Sequence, residues 1–187
     1  FLNGSSLLPA EFEQWLHEGK PSNGREQKIL RLLAGLQHIS GYKVVTLLDG
    51  QGVARISTGN GGALEADDVK LALQAMNSRQ VRFSDLHRRG DVSGEISIVL
   101  AAPLTVVDAK QARSVGAILL HIDPRDFLYP LIQSWPSSSP SAETLLTRQE
   151  GSEVVFINEL RHRKGAALSL RIPVASSSKL PTVTAIR

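Results

Sequence analysis

The chain has 187 residues, of which 42% are hydrophobic, 21% are charged and none is cysteine. This composition predicts a globular protein with one domain or two small ones, and it excludes thiol catalysis, zinc–thiolate sites and disulfides. The formal net charge is +3 and only 5% of residues are aromatic, so we expect no nucleic acid partner, which would require a denser basic footprint.

The sequence contains no apolar stretch that approaches the roughly 18 residues needed for a membrane-spanning helix. It begins at Phe1 and shows no signal-peptide pattern. We therefore expect an excised fragment whose flanking segments, including any membrane anchors, are missing. Contact with a membrane is expected only through those missing segments.

Helical periodicity dominates the first forty residues. Residues 8–18 and 25–39 are predicted helices, separated by the Gly- and Pro-containing segment 19–24. The second helix is predicted to pack an apolar stripe on a sheet and to leave its basic residues more exposed. The stripe consists of Ile29, Leu33 and Leu36, and the basic residues are Arg25, Lys28 and Arg31.

Alternating and continuous apolar patterns then predict two strands, a helix and three further strands. These elements span residues 42–48, 53–57, 65–77 (the helix), 81–86, 95–104 and 115–122. The last strand is almost entirely apolar, as expected of a strand that is buried on both faces. The order predicts an α+β fold in which residues 41–124 form one five-stranded antiparallel sheet with helices on its faces.

The pattern changes after Ile122. Asp123 and Pro124 predict a helix start, and Phe127, Leu128, Leu131 and Ile132 would give that helix an apolar face. A Ser/Pro hinge is predicted at 135–141. Short strands are predicted at 144–147 and 154–157 around a turn at 149–152, with a further strand at 167–172.

Three short strands bury too little apolar surface to be stable alone. We therefore expect a truncated second lobe, in which residues 136–187 dock on the first unit or on a second copy, or are ordered only in part.

The segments VVTLLDGQGVARIST, RFSDLH, GEISIVLAAPL and GAILLHIDP occur in this order between residues 25 and 124. Together they resemble the Cache branch of the PAS-like fold. Residues 125–173, with the segment FLYPLIQSWPSSSPSAETLLTRQEGSEVVFINELRHRKG, resemble a linker and second hairpin in sensor regions of bacterial membrane receptors, chiefly histidine kinases and diguanylate cyclases. The resemblance implies N-terminal helices (1–40), a membrane-distal PAS-like sensor unit (41–124), and a linker helix with a partial membrane-proximal lobe (125–187).

Polar residues on otherwise apolar strands are the candidate ligand contacts, because a buried polar group must be hydrogen-bonded. The candidates are Arg55, Ser57, Arg82, Ser84, Asp85 and His121. The alternative interpretation of these residues is a solvated strand end or a core histidine with an internal partner. By resemblance, the pocket of a Cache domain lies between the sheet and the helix–loop segment before the third strand.

Other chemistries find little support. Residues 49–52 lack the Lys-Ser/Thr pair of a P-loop and predict a hairpin turn, while residues 59–62 predict a surface loop that the resemblance places near a pocket rim. The five histidines show no metal-ligand spacing, no G-x-S-x-G motif occurs, and Glu159 with His162 is interpreted as a solvated turn. We expect no catalytic residue, no cofactor and no metal.

The resemblance implies a periplasmic ligand-sensing domain of a bacterial transmembrane signalling protein, above all a sensor histidine kinase of a two-component system. Such a domain is not an enzyme; a separate kinase or cyclase output domain would receive a ligand-biased conformational change. The ligand is an unknown small molecule, and amino acids are not favoured, because the aromatic and arginine pattern of amino-acid-binding double Cache domains is not visible between Asn77 and Asp85. The alternative is a structural module without a ligand, in a receptor such as a diguanylate cyclase, that forms a homodimer through the helix at 25–39.

Overall fold

The structure is a computed structural model that describes residues 7–19, 22, 24–59, 64–90, 95–108, 111–133 and 143–176. The chain forms two compact units, one of residues 1–85 and 89–123 and the other of residues 86–88 and 124–187. The predicted hinge at 135–141 and most of the predicted loop at 59–62 lie outside the described residues. Within the described part of the chain, no helix has the length and apolar character required to cross a membrane.

The first unit begins with the two predicted helices. Helix α1 spans Leu7–His17 and helix α2 spans Gly24–Ser40. The predicted stripe of α2 is confirmed, since Ile29 and Leu33 are fully buried and Leu36 packs against the same core. Arg25, Lys28 and Arg31 are more exposed than the buried Ile29 and Leu33, as predicted. Arg25 and Lys28 also bind the carboxylate of Glu11 on α1, at 2.5 and 2.7 Å.

Five strands of the first unit form an antiparallel sheet in the predicted order. The elements are β1 (Val44–Asp49), β2 (Ala54–Ser57), α3 (Ala66–Ser78), β3 (Arg82–Phe83), β5 (Ile96–Asp108) and β6 (Gln111–Ile122), with β4 (His87–Arg88) belonging to the second unit. The order across the sheet is β2-β1-β6-β5-β3. Since every pair is antiparallel, the prediction of a five-stranded antiparallel sheet with helices around it is confirmed.

Two strands differ in length from the prediction. The strand predicted at 81–86 keeps only two ladder residues, because the hydroxyl of Ser84 accepts the N–H of Val99 at 2.8 Å and so replaces a backbone partner. The strand predicted to end at Leu104 continues to Asp108, paired with an extended β6. A register shift at Leu104/Thr105 lets the ladder continue beyond Pro103.

The sheet packs a different set of elements on each face. One face carries α1 and α2 and buries large side chains, among them Phe12, Trp15, Leu33, Leu47, Ile118 and Leu120. The opposite face carries α3 and buries a mixture of small and large side chains, among them Ala75, Ala101, Val99, Leu48 and Leu119. Gly116 of β6 permits the close approach of β1, because a Cβ at this position would lie 2.1 Å from the carbonyl oxygen of Leu48.

The second unit contains a short helix and a three-stranded antiparallel sheet. These elements are α4 (Leu128–Gln133), β7 (Thr147–Glu150), β8 (Glu153–Phe156) and β9 (Arg171–Pro173), in the sheet order β7-β8-β9. The strand predicted at 144–147 was placed too early in the sequence. The hairpin turn lies at Gly151–Ser152, so β7 begins at Thr147, and the N–H of Leu146 is bound by the side chain of Asn158 at 2.7 Å.

The strand predicted at 167–172 begins only at Arg171. Ala166 starts a tight turn that is closed by a 2.8 Å hydrogen bond from the N–H of Leu170 to its carbonyl. Leu168 occupies the left-handed region in this turn, with a φ of 56°. The apolar residues of the segment are therefore buried in a turn rather than in a ladder.

Helix α4 does not bury the predicted apolar face. Phe127 and Leu131 are 68% and 55% exposed, whereas Tyr129 is buried. Residues 124–127 form turns, so the helix starts later than predicted and presents a different side. The hydroxyl of Tyr129 donates a 2.8 Å hydrogen bond to the carbonyl of Ile157, which fixes this orientation.

Candidate functional site

A cluster of charged side chains is buried on the α3 face of the sheet. We call Glu65, Asp68, Arg89 and His121 the charged cluster. Arg89 Nη1 lies 2.8 Å from His121 Nδ1 and 3.8 Å from Asp68 Oδ2, and Arg89 Nε lies 4.0 Å from Glu65 Oε1. The side chains of Arg89 and Asp68 are 10% and 3% exposed, and His121 is 6% exposed.

The strands and α3 determine where these side chains lie. His121 is opposite Val44 on β1 and Val99 on β5, near the end of β6. Asp68 lies in the first turn of α3, where its carboxylate accepts the N–H of Glu65 at 3.2 Å. An acidic residue three positions after the cap is a common start signal of a helix, and here the same carboxylate also faces Arg89.

The backbone around Arg89 is held on two sides. The N–H of Arg89 donates to the carbonyl of Glu95 at 2.8 Å, and the N–H of Gly90 donates to Glu65 Oε1 at 2.8 Å. Glu65 therefore binds both the backbone and the side chain of this segment. The guanidinium is positioned by the fold before any ligand arrives, which lowers the ordering cost of binding.

The hydrogen-bond chemistry defines the state of His121. A guanidinium only donates, so His121 Nδ1 accepts and this contact requires an imidazole without a proton on Nδ1. Two carboxylates and one guanidinium then give the charged cluster a formal charge of −1. A buried charge network adds little net stability, because desolvation offsets most of the attraction. Buried charged groups need internal partners, and their concentration beside the apolar residues of the α3 face marks the charged cluster as a candidate site.

The predicted site residues do not converge on one place. His121 belongs to the charged cluster. Ser57 lies on the same face, where its hydroxyl is 2.9 Å from that of Thr46; Thr46 pairs with Leu119, two residues before His121. The other four predicted residues lie elsewhere on the sheet, and they are Arg55, Arg82, Ser84 and Asp85.

Arg82, Ser84 and Asp85 lie on or just after β3, at the edge of the sheet opposite to β2. Arg82 is exposed, and its Nε donates to the hydroxyl of Ser78 at 3.2 Å. Ser84 is occupied with the backbone of Val99, and its hydroxyl also donates to the carbonyl of Asp85 at 3.0 Å. Asp85 is exposed. A role for these residues in ligand binding stays a prediction.

Arg55 stabilises the β1–β2 turn. Its Nε donates to Asp49 Oδ2 at 2.6 Å, and Asp49 Oδ1 accepts the N–H groups of Gln51 and Val53, both at 3.0 Å. Burial raises the pKa of Asp49, but these hydrogen bonds and the guanidinium outweigh it, so the net pKa is lowered. Arg55 also lines a shallow groove of about 310 Å³ near α1.

Sequence reasoning missed Glu65, Asp68 and Arg89. The first two have the spacing of a helix start, and Arg89 belongs to a basic pair that appeared unremarkable. Its contact with His121 joins residues 32 positions apart, and no local pattern contains that information. A polar residue on an apolar strand was the usable signal, and it identified His121.

The described part of the chain offers few other candidates for a metal site or for acid–base catalysis. No group of three or more His, Asp or Glu side chains there could hold a metal ion. Glu159 Oε2 accepts the N–H of Ala166 at 3.1 Å, and His162 is exposed. This pair therefore lies on a turn, as predicted.

The fold was compared with those of known proteins. No protein-family model matches the sequence, and no curated protein matches it. The ligand-binding domain of the Pseudomonas aeruginosa chemoreceptor PctC, in complex with GABA, is similar with a TM-score of 0.51 and 15% identity, over 88% of this chain and 74% of that chain. The chain has the fold of a Cache-type sensor domain.

Two further structures are similar over most of their length. The sensory domain of the Campylobacter jejuni chemoreceptor Tlp3 with isoleucine bound has a TM-score of 0.50 and 10% identity, over 79% of this chain and 73% of that one. The extracellular domain of the candidate histidine kinase vpHK1S-Z8 also has a TM-score of 0.50. It is 14% identical, over 83% of this chain and 76% of that chain. At these identities the likeness concerns the fold.

Proposed function

We propose that this chain is the extracytoplasmic ligand-sensing domain of a bacterial transmembrane signalling protein, and that the charged cluster is its sensing site. The observation that carries the proposal is the buried contact of Arg89 with His121, 2.8 Å long, beside the carboxylate of Asp68. It lies between the sheet and α3, where the resemblance to Cache domains implies a pocket. A polar ligand would exchange its own groups for these internal partners.

The chemistry of the charged cluster favours charged or strongly polar ligands. A ligand carboxylate would compete with Asp68 for the guanidinium, and a ligand ammonium would compete with Arg89 for the two carboxylates. The PctC and Tlp3 structures contain GABA and isoleucine, so amino acids belong in any screen of this chain. Our expectation that they are not favoured stays a prediction.

We assign the sensor most specifically to a histidine kinase with a periplasmic location. The fold likeness to a candidate histidine kinase and to two chemoreceptors is of equal strength, and the segment at 125–173 resembles the sensor regions of histidine kinases and diguanylate cyclases. The division into helices (1–40), a distal sensor unit (41–124) and a linker with a proximal lobe (125–187) is part of this proposal. Signalling would proceed by population shift between two arrangements of the sensor unit.

Ligand screening with matched variants tests the site. Thermal-shift screening of the protein against amines, amino acids, carboxylates and sugars identifies a binder, and calorimetry then compares the wild type with Arg89→Gln and His121→Phe. We expect each variant to weaken binding about tenfold or more, equivalent to about 1.4 kcal/mol. Arg31→Gln is the control, because Arg31 is an exposed arginine on α2 that donates to the carbonyl of Gln27.

Unchanged affinity in Arg89→Gln and His121→Phe, with both variants folded by circular dichroism, would show that the ligand binds elsewhere. A screen without any binder would favour the structural alternative. In that alternative, α2 pairs with a second copy, and the exposed side chains of Leu30 and Ile39 on α2 support it. Sedimentation of Ile39→Asp beside the wild type distinguishes the two, because a dimer through α2 would dissociate.

A further inference from the structure

A second candidate site lies in the second unit, in the loop between β8 and β9. A groove of about 500 Å³ opens there beside the four consecutive basic residues at 161–164, which we call the basic turn. The groove is lined by Gln133, Glu159, Leu160, Arg161, Lys164 and Gly165.

The base of this loop is fixed by a buried asparagine. The side-chain nitrogen of Asn158 donates to the carbonyls of Thr144 and Glu159 at 3.0 and 3.1 Å, and its oxygen accepts the N–H of Leu146 at 2.7 Å. Asn158 is 1% exposed. All three bonds involve backbone groups, so the start of the loop has a defined conformation.

The rest of the loop is held by carboxylates that bind backbone N–H groups. Glu143 accepts the N–H of Arg161, and Glu159 accepts the N–H of Ala166. Ala166 and Ala167 are buried and fix the far end of the loop. The groove is therefore formed by an ordered loop and does not require folding on binding, which favours affinity.

This ordered loop exposes a concentration of positive charge. All four side chains of the basic turn are exposed. Arg161 and Lys164 line the groove and Glu159 is its one acidic lining residue, so the lining has a formal charge of +1. Among the described residues, no carboxylate forms an ion pair with Lys164. A bound anion would gain favourable charge–charge interactions with both side chains.

We propose that this groove binds a small oxyanion, namely an organic carboxylate or a phosphate. Arg161 and Lys164 would bind the charged oxygen atoms, and the amide of Gln133 would donate a further hydrogen bond. A guanidinium fork beside an ammonium suits both anion types. This site is separate from the charged cluster, and the inference does not rest on the proposed sensory function.

Titration of the protein with inorganic phosphate, and separately with succinate, tests the proposal and identifies the preferred anion. Binding is followed by NMR chemical shifts in the wild type and in Arg161→Gln, Lys164→Gln and Arg163→Gln. Each substitution removes one positive charge, but Arg163 does not line the groove. We expect saturable binding of at least one probe, weakened about tenfold by Arg161→Gln and by Lys164→Gln and less than twofold by Arg163→Gln.

Equal weakening by all three substitutions would show that the probes sense only the general charge of the basic turn, and this would overturn the proposal. Failure of both probes to saturate in the wild type would overturn it as well. Arg89→Gln is expected to leave this binding unchanged. The charged cluster and the groove are therefore tested independently, and either proposal can fail alone.

Discussion

The two faces of the five-stranded sheet differ in what they bury. The face under α1 and α2 is packed with large aliphatic and aromatic side chains. The face under α3 buries alanine, valine, leucine and methionine side chains and, at one end, the polar side chains of Thr46, Asp68 and His121. Both faces are built from the same strands, because successive side chains alternate between them.

This difference assigns separate tasks to the two faces. Burial of large apolar side chains contributes about 25 cal/mol per Å², so the α1/α2 face supplies much of the stability. On the α3 face, the charged cluster occupies positions where apolar side chains could be buried, and its net contribution to the free energy of unfolding is small. A binding site is better placed on the second face, since a ligand there exchanges polar partners without opening the main core.

The largest effect is expected for Leu33→Ala on the α1/α2 face. Leu33 is fully buried, and a Leu→Ala change in a core costs about 2–5 kcal/mol of unfolding free energy. Denaturant unfolding followed by circular dichroism measures the loss. Leu30→Ala on the same helix is the control, because Leu30 is exposed. A loss below about 0.5 kcal/mol for Leu33→Ala would show that this face is only loosely packed.

A smaller but more informative effect is expected for Asp68→Asn on the α3 face. The substitution leaves Arg89 with less compensation and should cost about 1–3 kcal/mol. Adding Arg89→Gln to the same chain should recover part of the loss, because the buried charge itself is then gone. If the two single losses simply add in the double variant, Asp68 and Arg89 are not coupled and the charged cluster does not act as a unit.

Ser57→Ala tests how far the polar region extends along the α3 face. It removes the 2.9 Å hydrogen bond between the hydroxyls of Ser57 and Thr46. We expect a loss of about 0.5–1.5 kcal/mol, measured by the same unfolding experiment. A ligand of the charged cluster should bind Ser57→Ala with reduced affinity only if the site reaches this strand, and the calorimetric comparison therefore sets its limit.

The smallest effect is a pH dependence at the β1–β2 turn. The folded state lowers the pKa of Asp49, so its carboxylate stabilises the fold above the unfolded-state value of about 3.9. The contribution is lost as the pH falls through the lower folded value. The difference in unfolding free energy between the wild type and Asp49→Asn should therefore shrink between about pH 5 and pH 2. A constant difference over this range would contradict the assigned hydrogen bonds.

The order of helices and strands could be predicted because each periodicity is local. The stripe of α2 and the apolar run of β6 are visible in short windows of sequence. The end of β5 could not be predicted, since the ladder continues past Leu104 only through a register shift against an equally extended β6. In the second unit, the side chain of Asn158 captures the N–H of Leu146 and excludes the start of the predicted hairpin from the ladder.

The candidate site could be predicted only in part for the same reason. His121 is detectable as a polar residue in an apolar strand. Its partner Arg89 lies within a turn-rich segment and gives no signal of burial, because burial arises from the packing of α3 and β6 around it. Arg55 and Arg82 were predicted by strand alternation, and each has a nearby partner in the structure, Asp49 and Ser78 respectively; their role in ligand binding stays a prediction.

The contact between Arg89 and His121 has a further consequence that follows from the path of the backbone. The chain passes from one unit to the other at three points, after Asp85, after Arg88 and after Asp123. Arg89 is the first residue after the second passage, and His121 lies two residues before the end of the segment that leads to the third. A molecule that separates these two side chains would therefore act beside two of the three covalent connections between the units.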